Sequence, residues 1–189
     1  MKISTKIDDK NNIKKLILSA IFLTLGFVLP MLTGQIPVIG KILLPMHIPV
    51  LLCSLICDWK YGAAIGFILP ISRSVLFSVP VMYPTAIAVA FKMTVYGIIP
   101  YLLYKRSDSK KKSIGSLYFA LFTAMISGRI VRCLFEIILL GLQGKTFVAE
   151  AFFTGVILNG IPGIVIQLIV VPIVVIAIEK SNILKIKRK

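Results

Sequence analysis

Apolar residues in this chain do not alternate with polar ones in a soluble pattern. They run in six long blocks, at about 15–33, 43–57, 61–79, 85–104, 114–142 and 151–178, separated by short polar or Gly/Pro-rich connections. Blocks of this length match the roughly 20 residues an α-helix needs to cross a bilayer. The pattern therefore predicts an all-α integral membrane protein of six transmembrane helices spanning 15–179. A basic N-terminal tail at 1–14 and a basic C-terminal tail at 180–189 flank it. The apolar loop 34–40 is expected to fold back over the protein as a lid.

Composition strengthens this picture. Hydrophobic residues make up 58% of the 189 residues, and the mean hydropathy is +0.96, beyond the range of soluble domains. A net charge of +15 would suit nucleic acid if it lay on one face. Here the cations cluster between apolar blocks, so a lipid bilayer is the expected partner and nucleic acid is not. Sixteen of the 22 Lys and Arg fall in the two tails with Lys15, at Lys60 and in the 105–112 loop, against Lys41 and Lys145 on the other side. By the positive-inside rule both termini are cytoplasmic. With no cleavage site after the first block, that block is expected to stay in the protein.

The remaining four cations, Arg73, Lys92, Arg129 and Arg132, lie inside the apolar blocks, with Glu136 as the acidic residue among them. An ionisable group in hydrocarbon is costly unless it meets a partner or water, so each is a candidate for function. At 100° per residue Arg129, Arg132 and Glu136 share one sector of a helix, and Arg132 and Glu136 are four apart. Counting about 1.5 Å per residue from the outer ends places Arg73, Lys92, Glu136 and Asn159 at similar depths in the outer half, with His47 nearer the outer face. Tyr96 shares the Lys92 sector with Thr85. Gly155, Asn159 and Gly163 recur every four residues, which suits either a ligand or helix packing. The candidate ligand-binding residues are thus His47, Arg73, Lys92, Tyr96, Arg129, Arg132, Glu136 and Asn159. Their excess of positive charge predicts a ligand with an anionic group, and Phe77 and Tyr83 near the mouth offer rings for stacking.

Other chemistries find little support. The residues Gly144-Lys145-Thr146 imitate the end of a phosphate-binding loop, but Leu139 stands where the first glycine is required. A single histidine and seven acidic residues supply no metal or hydrolytic constellation. Cys53, Cys57 and Cys133 lie in apolar blocks and read as packing residues. Glu136 alone is a thin basis for a proton relay or general base. A self-sufficient ion-coupled carrier and a small membrane enzyme acting on an anionic substrate therefore remain as alternatives to a binding protein.

The Lys-rich N-terminus, the Leu44-Pro45-Met46-His47-Ile48-Pro49-Val50 stretch after an apolar loop, and Tyr61-Gly62-Ala63-Ala64-Ile65-Gly66 opening the third block resemble the substrate-binding S components of energy-coupling-factor (ECF) vitamin transporters. The resemblance implies a non-enzymatic substrate-capture subunit in the cytoplasmic membrane of a bacterium, with the first outer loop as lid. It also implies a membrane coupling subunit and two cytoplasmic ATPases as partners. The chain itself would hold no cofactor, ATP being used by those partners. Where the family carries an Ala-x-x-x-Ala pair for the coupling subunit, this chain has Ala20 and Thr24, with Gly26 continuing the smooth surface. Riboflavin-, thiamine- and biotin-type signatures are missing, and the His-Ile-Pro stretch is closer to the pantothenate, pyridoxine and hydroxymethylpyrimidine group.

Overall fold

The computed structural model describes residues 2–34, 45–105, 113–144 and 161–180. These form six α-helices: α1 (Lys2–Gly34), α2 (His47–Ile56), α3 (Trp59–Phe77), α4 (Ile87–Pro100), α5 (Ile114–Leu142) and α6 (Ile161–Lys180). No strand occurs among the described residues. A turn at Met82–Ala86, broken by the extended backbone of Tyr83, precedes α4, and a π-helical turn at Tyr101–Lys105 follows it. The expected lid at 34–40 and the first part of the sixth block lie outside the described residues, apart from Gly34 at the end of α1. The six helices correspond to the six apolar blocks. One boundary differs: α1 begins at Lys2, so the basic segment read as a separate tail continues the first helix without a break.

The short helix α2 is the centre of the bundle. Nine of its residues are buried, including Val50, Leu51 and Cys53 at 0% exposure, and α1, α3, α4 and α6 all pack against it. A helix apolar on every side needs neighbours all round, which explains why ten residues suffice here. The α2–α3 connection is pinned by Asp58, whose carboxylate accepts from Trp59 N at 2.8 Å as the α3 N-cap and pairs with Lys15 Nζ of α1 at 3.2 Å. At the other end, Tyr83 Oη donates to the Leu139 carbonyl at 2.6 Å. That oxygen is among the last four of α5, which have no partner inside the helix.

α3 and α4 approach until their backbones touch. A Cβ on Gly62 would stand 2.8 Å from the Gly97 carbonyl oxygen and 2.9 Å from Ser54 Cα, and one on Gly66 would collide with the Met93 carbonyl. Gly62 and Gly66 therefore serve packing within the chain. Gly26 does the same: it is buried, and a Cβ there would lie 2.5 Å from Leu69 Cδ2. Its placement on an outer contact surface with Ala20 and Thr24 is corrected by this geometry, since Gly26 faces inward while Ala20 and Thr24 are exposed.

The outward surface is apolar. On α5 the inward residues are small or flexible, such as Ala120, Ala124, Met125 and Gly128. Its outer face carries Phe119, Phe122, Ile126, Ile130 and Leu134, at 45–65% exposure. Contiguous apolar stripes of this kind are unusual on proteins that live in water. Two stretches, Asn12–Leu32 and Met82–Tyr104, are long and apolar enough to cross a membrane, with mean hydropathies of 2.1 and 1.7; His47–Ile56 and Pro162–Ile178 are shorter apolar helices.

Candidate functional site

A cavity of about 270 Å³ opens at one end of the bundle. It lies where α1 and α3 finish and α2 and α4 begin, and the Lys15–Asp58 pair marks the opposite end, about 22 Å away along α1. Its polar lining consists of His47, Arg73, Thr85 and Arg132, from four different segments. The walls are otherwise apolar, with three prolines (Pro30, Pro45, Pro80) and Met46, Val79 and Val89. Pro45 and Pro80 stand in turns, where a residue without an N–H costs no helical hydrogen bond, whereas Pro30 interrupts the ladder near the end of α1.

Arg73 is the dominant charge. It is 9% exposed and donates from one terminal nitrogen to the Phe27 carbonyl at 3.4 Å. Its guanidinium carbon lies 5.7 Å from the Phe77 ring centroid. Its Nε is buried without a hydrogen-bond partner, and no carboxylate lies within ion-pair distance among the described residues. Arg132 differs: its Nε is engaged by Glu136 Oε2 at 3.2 Å, one turn away on α5. Glu136 itself does not line the cavity, so it acts on the site through Arg132.

One turn deeper lies a second polar layer. The His47 ring is 5.4 Å from the Tyr96 ring, and Lys92 Nζ sits 5.3 Å from the Tyr96 centroid. Tyr96 and Lys92 are 2% and 4% exposed. Gly128 of α5 makes room for both, because a Cβ there would strike Tyr96 and approach Lys92 Cγ to 3.4 Å. Gly128→Ala is expected to push the Tyr96 ring toward His47, since a side chain yields where backbone cannot. The loss should appear as weaker ligand binding with a change in thermal midpoint of only a few degrees, measured on the same purified protein.

Of the residues singled out in the sequence, the fold thus brings His47, Arg73 and Arg132 to one cavity and places Lys92 and Tyr96 beneath it. Arg129 is half-buried on α5 and does not line it. Asn159 lies outside the described residues. On α6 the neighbouring Gly163, Gln167, Val171 and Val175 form a buried stripe at four-residue spacing. Tyr83 is committed to Leu139, and Phe77 to Arg73, so neither is a free stacking platform. The proline and valine walls were not recognisable from the sequence, because nothing local marks which apolar residues surround a void. Thr85 carried one signal, its place in the Lys92–Tyr96 sector.

Fold and cavity together define a helical binding protein with an apolar exterior and a small, cation-lined cavity at one end. The family model described as ECF transporter, substrate-specific component, matches residues 14–175, and the chain belongs to this family. No match was found among curated proteins or solved structures. Membership makes the chain the substrate-binding subunit of an ECF-type transporter, a bacterial membrane protein that binds a small molecule and works with a membrane coupling subunit and ATPases. The family is one of transport subunits, not of enzymes.

Proposed function

We propose that this subunit captures a vitamin or vitamin precursor from outside the cell and delivers it inward, with pantothenate, pyridoxine and hydroxymethylpyrimidine-like compounds as the first candidates. The observation that carries this reading is Arg73: a buried guanidinium with an unpartnered Nε, facing a small cavity at one end of the bundle. In this reading all six helices cross the cytoplasmic membrane and both termini are cytoplasmic. The cavity then opens to the outer side, in keeping with the distribution of Lys and Arg.

The chain needs no cofactor of its own, ATP being hydrolysed by two cytoplasmic ATPase partners. The coupling subunit docks on α1 at Ala20 and Thr24. Both are exposed, and the Thr24 hydroxyl is turned back onto the Ala20 carbonyl at 3.0 Å. A hydroxyl satisfied within its own helix leaves the methyl group outward, so the pair presents a small apolar surface that another helix can approach closely.

The test is uptake of radiolabelled vitamins by cells expressing this chain alone or with a coupling subunit and ATPases. Uptake is expected only with the partners present. Equal uptake without them would replace this reading by that of a self-sufficient carrier.

A further inference from the structure

We propose that the cavity selects a singly charged ligand, a monocarboxylate with an uncharged body, with Arg73 as its charge partner and Glu136 as the residue that sets the single-charge limit. This deepens the capture reading above and rests on it.

Few groups bring charge to the cavity wall. Two guanidiniums line it, Arg73 and Arg132, and one of them is already neutralised by Glu136 at 3.2 Å. Lys92 lies one turn deeper, against Tyr96, and Arg129 is not part of the lining. Of the other acidic residues in the described segments, Glu179 stands in the last turn of α6, and Asp58 is held by Lys15 at the far end of the bundle. Asp8 and Asp9 precede Phe27, the α1 contact of Arg73, by about 27 Å of helix. Among the described residues, the cavity wall therefore carries one uncompensated positive charge.

That charge sits on a planar group with fixed donors, which suits the two oxygens of a carboxylate better than a point charge would. A phosphate monoester carries close to two negative charges near neutral pH. Its second charge would enter a low-dielectric space where the other lining cation among the described residues is spoken for, and desolvation would go uncompensated. Phosphorylated forms of the ligand are rejected on that ground. The body of the ligand meets Met46, Val79 and Val89 with His47 and Thr85 as hydrogen-bonding groups. A volume of about 270 Å³ lies just below the roughly 300–1,000 Å³ of pockets for drug-sized molecules, so the body is small.

Removing the Glu136 charge tests the limit directly. With glutamine there, Arg132 becomes a second uncompensated cation in the same cavity. The experiment uses the full-length chain purified in detergent, with native mass spectrometry of any co-purifying molecule. Calorimetric titration follows with pantothenate and nicotinate as monocarboxylates, panthenol and pyridoxine as uncharged probes, and pyridoxine phosphate as the doubly charged one. A co-purifying or bound monocarboxylate is expected, with panthenol at least about 100-fold weaker than pantothenate if pantothenate is the ligand. Arg73→Gln should lower carboxylate affinity by about 100-fold or more, and Arg73→Lys, which keeps the charge, should recover part of it. Glu136→Gln should raise affinity for pyridoxine phosphate about tenfold relative to that for the monocarboxylates.

A ligand that is uncharged or cationic overturns the single-anion proposal and leaves the capture reading in place. So does a carboxylate whose affinity is the same in the wild type and in Arg73→Gln. A wild-type protein that selects carboxylates but shows no relative gain of phosphate in Glu136→Gln overturns the role of Glu136. No co-purifying molecule and no binding across the panel overturns the capture reading, and this proposal with it.

Discussion

Replacing Gly97 by valine is expected to cost the protein its fold. A Cβ at Gly97 would meet the backbone of Gly62 and Ala63, while Gly62 and Gly66 face the carbonyl groups of Gly97 and Met93 in return. Where a new methyl group meets a flexible side chain, the side chain rotates away. Here both sides are helix backbone, already hydrogen-bonded, and the only relief is to separate α3 from α4. The loss is on the order of 3 kcal/mol or more from overpacking, and it propagates to α2, whose packing depends on both helices. Detergent-solubilised Gly97→Val should fail to elute as a single species in size-exclusion chromatography. Gly141→Val is the matched control, because nothing lies within 4 Å of a Cβ there. It should remain folded, since valine has a slightly better helix propensity than glycine. A Gly97→Val protein as stable as the control would mean that α3 and α4 do not meet through their backbones.

The second large effect has the opposite sign. Lys92 is 4% exposed, with no carboxylate in ion-pair distance among the described residues, and its nearest aromatic neighbour contributes only through the ring face of Tyr96. Burying an ammonium without a counter-charge is unfavourable, and replacing buried charges by apolar groups of similar volume commonly stabilises by about 1–4 kcal/mol. Lys92→Met keeps the length and the flexibility of the side chain. The ligand-free variant should therefore melt several degrees above the wild type in the same detergent. Because Lys92 does not line the cavity, carboxylate affinity should change by less than about threefold, in contrast to Arg73→Gln. A lower melting point for Lys92→Met would show that the lysine has an anionic partner after all. A gain that disappears when ligand is added would show that the ligand itself reaches Lys92.

These two residues also show what was readable in advance. Lys92 stands out in the sequence because a cation interrupts an apolar run, and its depth follows from counting residues along the helix. Gly97 does not stand out, since a glycine in an apolar block marks equally a packing contact, a ligand space or nothing. Gly62 and Gly66 illustrate the point: both meet α4, and nothing in the neighbouring sequence marks it. Gly26 was assigned outward by its nearness to Ala20 and Thr24, yet it lies about 120° away from Ala20 around the helix and is covered by Leu69. Arg129 and Arg132 were equivalent candidates on one stripe. The tertiary structure separates them, with Arg132 in the cavity lining and Arg129 not.

The sequence by itself determined the helical class, the order of the six described helices and the family. Those features depend on periodicity, block length and charge placement, which are properties of single helices. The tertiary structure decided that short α2 is the centre of the bundle, that Arg132 is neutralised by Glu136 while Arg73 is not, and that a cavity lined by His47, Arg73 and Arg132 stands over Tyr96. Each of these depends on which faces of different helices meet. That is settled by close-packing across segments distant in the chain, where the fit of glycine against backbone and the position of one carboxylate count for more than any local pattern.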